Sequence, residues 1–417
     1  MKQFKLIIFV LGALISYPSL YAATVDFSSR TFPRFLDSVP EENSTGLYVP
    51  TYEYLTLNVN TFGIEGLSLS ASGWGRLDIG RDIDSNDGDG DLLYGYLDYR
   101  ESRNLYHVRL GRQFLFRGVA LDNMDGIFID GISPYGLVME GFAGKPVLSK
   151  SGDISGDFLY GGRVGYRLPW RLDLGISALQ SLENGEADRQ NIGLDGFARP
   201  IGIVEMSWKL FYSILFEDIY EGSLTASVSP LDWLKVSISG ESTDPKVRIG
   251  ANSIFSVFTE KYYDAGIRID SHCPVTGIDF NASYYNYQYA TDQAHRFSAG
   301  AAYSARLLGD NIFGASFEQL TYSDEPTSET MTGYYQFRIF TENTFIEKIT
   351  ASAEYIHTIY DEYINNYNGS NDITVSAGYS ILKDLNILGS LYYSITPRYT
   401  QEIQGSVFIT YLFGTTF

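Results

Sequence analysis

The feature that most limits this chain is a repeating alternation of apolar and polar side chains with period two. Over 403–413 the odd positions are Ile403, Gly405, Val407, Ile409, Tyr411 and Phe413, whereas Glu402, Gln404 and Ser406 hold the neighbouring even ones. Leu224, Ala226 and Val228 alternate with Ser223, Thr225 and Ser227 in the same way, and Leu234, Val236 and Ile238 with Lys235, Ser237 and Ser239. Such a pattern puts apolar groups on one face of a sheet and polar groups on the other. The runs are long: 66–80, 104–116, 276–289, 296–307, 348–360 and 372–382. Soluble strands average about five or six residues, whereas a strand crossing a membrane needs about ten. No stretch of the mature chain reaches the ~18 apolar residues of a membrane helix.

Composition narrows the choice further. A chain of 417 residues is too long for one soluble core, yet it suits a closed barrel, whose size follows strand number rather than core volume. Charged residues are only 19%, while Tyr (33) and Phe (26) are abundant, which excludes a disordered chain. With 30 basic and 50 acidic residues the net charge is −20, and nucleic acid is excluded as a partner because phosphate binding needs a basic footprint.

Residues 1–22 read as an export signal: Lys2 and Lys5, an apolar run over 6–15, and small residues at Ala22 and Ala23. The run is too short to cross the ~30 Å hydrocarbon core of a bilayer. The mature chain, 23–417, is then a single barrel domain with the 30 basic residues less Lys2 and Lys5 against 50 acids, a net charge of −22. Its one thiol, Cys273, leaves no internal disulfide, no haem-attachment motif and no lipidated N-terminal Cys.

Connections alternate in length. Short ones at 102–103, 169–170, 230–231, 273–275, 308–310, 345–347 and 383–384 interleave with long ones at 82–91, 118–156, 182–191, 242–261, 323–332 and 365–371. This phase predicts an all-β fold, a transmembrane antiparallel up-and-down β-barrel of about 20 strands (range 18 to 22), with short periplasmic turns and long extracellular loops. The 118–156 connection has room for a hairpin within 126–142. Aromatics at run ends (Tyr284, Tyr285, Tyr287 and Tyr289; Tyr392, Tyr393 and Tyr399) are expected in girdles at the two headgroup levels.

The end of the chain carries a resemblance. Phe417, preceded by Phe413, Tyr411 and Ile409 at alternating positions, resembles the assembly signal of bacterial outer-membrane β-barrels. That resemblance implies a place in the bacterial outer membrane, with membrane lipid and the barrel-assembly machinery as partners. The chain is similar to general porins and to the barrel subunits of porin–cytochrome conduits. The first implies a passive channel for small hydrophilic solutes, and the acidic balance implies cation preference. The second implies a sheath around a multihaem c-type cytochrome, with all haem on the partner. Binding through the long loops, as in an adhesin, is a third expectation.

In 104–117 the even positions Tyr106, Val108, Leu110, Phe114 and Phe116 form a lipid face, so His107, Arg109, Gln113 and Arg117 are expected to point inward. Arg112 breaks the rule, which a bulge near Gly111 or a position near the interface would explain. The following segment supplies Asp122, Asp125, Asp130 and Glu140. Folded inward, it would face the basic wall across a constriction and set ion selectivity. Folded outward, its charges would merely solvate a loop. The loop bearing Asp82, Asp84, Asn86, Asp87, Asp89 and Asp91 starts like an EF-hand but has Asp87 at the sixth position and Leu93 at the twelfth, a weak Ca²⁺ candidate. No other cofactor is expected on this chain. The four His (His107, His272, His295 and His357) fit no metal spacing, and no Gly-x-Ser-x-Gly elbow occurs in the mature chain, so an enzyme is not expected.

Overall fold

The computed structural model describes residues 24–36, 48–61, 64–80, 88–147, 156–244, 261–289, 292–306, 309–323, 332–345, 348–397 and 401–416. Among these, 22 strands are formed. The first six are β1 (Thr24–Leu36), β2 (Tyr48–Asn60), β3 (Leu67–Gly80), β4 (Gly88–Arg100), β5 (Tyr106–Arg117) and β6 (Ala120–Ile132). Then come β7 (Leu137–Pro146), β8 (Phe158–Leu168), β9 (Leu172–Glu183), β10 (Glu186–Ile201), β11 (Val204–Ser213) and β12 (Asp218–Leu231). They continue as β13 (Leu234–Thr243), β14 (Tyr262–Cys273), β15 (Ile278–Gln288), β16 (Gln293–Ala305) and β17 (Gly309–Tyr322). The last are β18 (Tyr334–Phe345), β19 (Ile349–Ile364), β20 (Tyr367–Leu382), β21 (Leu385–Ile395) and β22 (Glu402–Thr416).

Consecutive strands pair antiparallel, and β22 closes on β1 with Phe413 opposite Phe27 and Ile409 opposite Thr31. Closure pairs the first and last strands and leaves no free edge at that seam, which is the condition for a sheet to stand in hydrocarbon. Alternation sorts the two faces. On β5 Leu110 is 56% exposed while His107, of the opposite parity, is buried. The same holds on β8 and β9, where Val164 and Ile176 face out and Arg163 and Ser177 are buried. Large apolar side chains thus belt the outside and polar ones line the inside. An even-stranded closed barrel with that belt is a membrane-spanning barrel of the bacterial outer-membrane type.

Three stretches expected to be loops are strand. Residues 182–191 continue β9 into β10 through Asn184-Gly185, both with positive φ (53° and 78°), the I′ geometry that matches strand twist. Residues 365–371 do the same through Asn365 and Asn366 (φ 49° and 68°). Most of 118–156 is β6 and β7. The aromatic girdle is also partial: Tyr284 faces outward at 44% exposure, but Tyr285 and Tyr287 lie on the opposite, inward parity of β15, and Tyr392 turns in to donate to Asp372. The export signal and Tyr399 lie outside the described residues.

Candidate functional site

One hairpin leaves the wall. Gly111 stands opposite Gly126 on β6, and Gly126 opposite Gly144 on β7, so three strands carry glycine at one level. Gly111 has φ +129°, a conformation closed to other residues. A Cβ on Gly126 would sit 2.2 Å from the Ala143 carbonyl oxygen, so this line of close approach is open to glycine alone. Beyond it β5 loses its partner: pairing with β4 ends at Gly95–Arg112, although β4 extends to Gly88. The β5–β6 tip instead reaches the inner faces of β9 and β10. The Val119 N–H donates to Ser177 Oγ at 3.1 Å, and Arg189 Nη2 donates to Asp122 Oδ1 at 2.6 Å. The hairpin therefore folds into the lumen and carries Phe114 and Phe116, expected on the lipid face, in with it; Phe116 lines the cavity between hairpin and wall.

An apolar cluster holds it there. Leu115 (2% exposed), Val119, Ala120 and Met124 (0%) from the hairpin pack with Phe128, Phe142, Leu159, Leu179, Phe211 and Tyr220. The alternative for these groups is water rather than lipid, so burial inside the lumen is rewarded, at about 1.5–3 kcal/mol for each large side chain.

Charged side chains knit the hairpin to the wall. His107 meets Asp130 through Nδ1 at 2.6 Å and Asp98 through Nε2 at 2.7 Å. Both ring nitrogens donate only in the imidazolium form. Arg109 lies 4.4 Å from the Tyr96 ring centroid and 3.3 Å from Asp98. Gln113 is fully buried and donates to the Gly126 carbonyl at 3.2 Å. Arg117 approaches Glu140 at 3.6 Å and the Phe128 ring at 5.5 Å. Arg112, the residue of wrong parity, sits where β5 parts from β4 and donates to Asp125 at 2.9 Å and to Asp91 at 3.3 Å.

The predicted lining residues thus gather about one structure, but with a different layout from an acidic loop facing a basic wall. Asp122 belongs to the hairpin and pairs with a wall arginine, whereas Asp130 and Glu140 belong to the wall. Further inward charges escaped the sequence reading. Arg163, only 6% exposed, is gripped by Asp195 (2.6 Å) and Asp173 (2.7 Å); Arg167 shares Asp173, and Lys209 pairs with Glu221. Their signal was the same alternation, since Arg163 and Arg167 fall between Tyr160, Val164, Tyr166 and Leu168. A cavity of about 930 Å³ between hairpin and wall is lined by Arg117, Asp130, Glu140, Arg163, Arg189 and Lys209 among others.

Of the calcium candidates, Asp82, Asp84, Asn86 and Asp87 lie outside the described residues. Asp89 and Asp91 open β4 opposite Arg76 and Trp74. Tyr411 and Phe413 face outward on β22 at 41% and 46% exposure, and Phe417 lies outside the described residues.

No family model matches the chain, and no curated protein matches it. Among solved structures it is similar to Pseudomonas aeruginosa OpdK with vanillate, at 12% identity over 94% of this chain and 99% of that one, TM-score 0.44. It is similar also to a BenF-like porin from Pseudomonas fluorescens (11%, 94% and 99%, TM-score 0.44). A third is the P pilus usher PapC translocation pore, at 11% identity over 94% and 100%, TM-score 0.49.

Proposed function

We propose that this chain is a passive outer-membrane channel for small hydrophilic solutes, and not an enzyme. The supporting observation is a lumen narrowed by its own hairpin. Twenty-two strands about 4.8 Å apart and tilted about 40° make a ring roughly 40 Å across between backbones if circular. One hairpin lying about 10 Å from the wall takes up only part of such a space. Cation preference is the expected selectivity, because the chain carries 50 acids against 30 bases and the inward arginines of the hairpin region are paired to carboxylates. Planar-bilayer recordings test both parts: stepwise conductance is expected, with a reversal potential of the cation-selective sign in a salt gradient. Anion selectivity would refute the charge argument, and the absence of steps would refute the channel. The hairpin weighs against a cytochrome sheath, which needs a clear lumen. Haem staining of material pulled down from detergent-solubilised outer membrane tests that reading, and no haem is expected.

A further inference from the structure

Barrel interiors are polar, yet four aromatic rings form a continuous row on the inward face at the closing seam. Phe408 of β22 stacks on Phe32 of β1 with centroids 4.1 Å apart and planes 12° from parallel. Phe32 meets Tyr52 of β2 at 6.2 Å, and Tyr52 meets Trp74 of β3 at 6.2 Å. Register puts all four on the lumen side: Phe32 faces Tyr52 across β1–β2, whereas the outward set of β1 contains Phe27, opposite Phe413. The row is extended by Leu388, opposite Phe408, and by Tyr54, opposite Trp74. Unlike the rings beneath the hairpin, it keeps open surface, with Phe408 36% and Tyr54 39% exposed; Arg76 lies over the Tyr52 ring at 5.9 Å.

Both edges of this floor are polar. Two residues along each strand, still on the lumen side, stand Ser390, Ser406 and Arg34 on one edge, and Asn386, Thr410 and Arg30 on the other. Arg34 is held by Gln404 (Nη2 to Oε1, 2.8 Å) and Arg76 by both oxygens of Asp78. Arg30 is exposed, and the three arginines Arg30, Arg34 and Arg76 are matched by Asp78, Asp89 and Asp91 on β3 and β4. We propose that the row is a binding track for neutral, ring-shaped polyols, namely sugars. A sugar ring lays its C–H face on an aromatic face, and its hydroxyls meet the serine, threonine, amide and guanidinium groups at the edges. The balance of charge along the row gives a ring bearing a carboxylate no advantage over a neutral one. This deepens the channel reading and rests on it, because solutes must reach the lumen.

The test is sugar block of ion current in planar bilayers, with glucose, maltose and maltotriose as probes, glycerol as the polyol without a ring, and benzoate as the charged ring. Saturable block is expected from the sugars, strengthening with chain length, and none from glycerol. Tyr52→Ala and Phe32→Ala should each raise the half-blocking concentration about three- to tenfold, the usual worth of one aromatic contact. Tyr52→Leu keeps the bulk without the ring and serves if an alanine variant fails to assemble. Phe313→Ala, on the lipid face, should change nothing. Block by benzoate alone, or sugar block indifferent to Tyr52 and Phe32, overturns the proposal. Should the barrel carry no current, calorimetric titration of the detergent-solubilised protein with maltotriose still decides. Binding that Tyr52→Leu weakens supports the track even then, and no heat in the parent protein overturns it.

Discussion

If the β5–β6 hairpin is a beam across the lumen, removing it should widen the pore by a calculable amount. Arg112 and Asp125 are directly opposed across β5 and β6, so an Asn-Gly turn can join them in place of residues 113–124. From Arg112 to Gly118 the beam runs six residues, roughly 20 Å at ~3.4 Å each, and two strands are about 10 Å wide, so it obstructs on the order of 200 Å². A ring roughly 40 Å across loses about 5 Å of side chain on each side, leaving an open section of roughly 700 Å². Deleting the hairpin should therefore raise single-channel conductance roughly 1.4-fold if current follows free cross-section. Gel mobility with and without heating verifies that the shortened barrel still closes. Conductance equal to that of the parent, in a barrel that passes the mobility check, would mean that the hairpin does not lie in the lumen.

Other outcomes follow from the same geometry. Gly126→Val brings a side chain to within 2.2 Å of the Ala143 carbonyl; it should reduce the yield of heat-modifiable barrel sharply, whereas Gly141→Ala, with open space around its Cβ position, should not. Arg189→Ala removes the partner of Asp122 at the hairpin tip and should destabilise the tip by about 1–3 kcal/mol, read as faster proteolysis near Gly118 and noisier open current; Asp122→Ala with Arg189→Ala should relieve part of that penalty. Met124→Ala, at a site with 0% exposure, should cost about 2–5 kcal/mol, visible as a lower midpoint of thermal unfolding in detergent. Phe413→Asp puts a charge on the outward face of the closing strand and should lower the assembled fraction in outer-membrane preparations, whereas Ser406→Asp, facing water, should be tolerated.

Alternation made the barrel legible. It placed Leu110 outside and His107, Arg109 and Gln113 inside, because a period of two is a local property of any strand. Phe114 and Phe116 share the parity of Leu110 but ride the hairpin into the lumen, which the period cannot show. Loops were less legible. Residues 182–191 and 365–371 are polar because these strands outrun the apolar belt, and polarity alone does not separate a strand end from a loop, although Asn184-Gly185 is a hairpin signal in its own right. The pairing of Arg163 with Asp195, 32 residues away, and of Arg189 with Asp122, 67 residues away, was not legible at all. Partners on different strands are fixed by register and by the bend at Gly111, neither of which leaves a mark within one strand.

The inward fold does leave an indirect trace, in residues that defy their parity. In water a strand facing the lumen has no use for large apolar groups, so Leu115, Met124, Phe142, Leu159, Leu179 and Phe211 on inward positions signal that something covers them, and the hairpin does. Arg112 is the converse, a charge of outward parity, and it falls next to Gly111 where the strand quits the wall and finds Asp125 and Asp91. The same rule applied to Phe408, Phe32, Tyr52 and Trp74 finds four inward rings, of which Phe408 keeps 36% of its surface. The hydrophobic effect favours covering such faces wherever water is the alternative. The described chain supplies no second hairpin to do so, and a row of rings with polar edges matches the shape and chemistry of the sugar proposed to cover it.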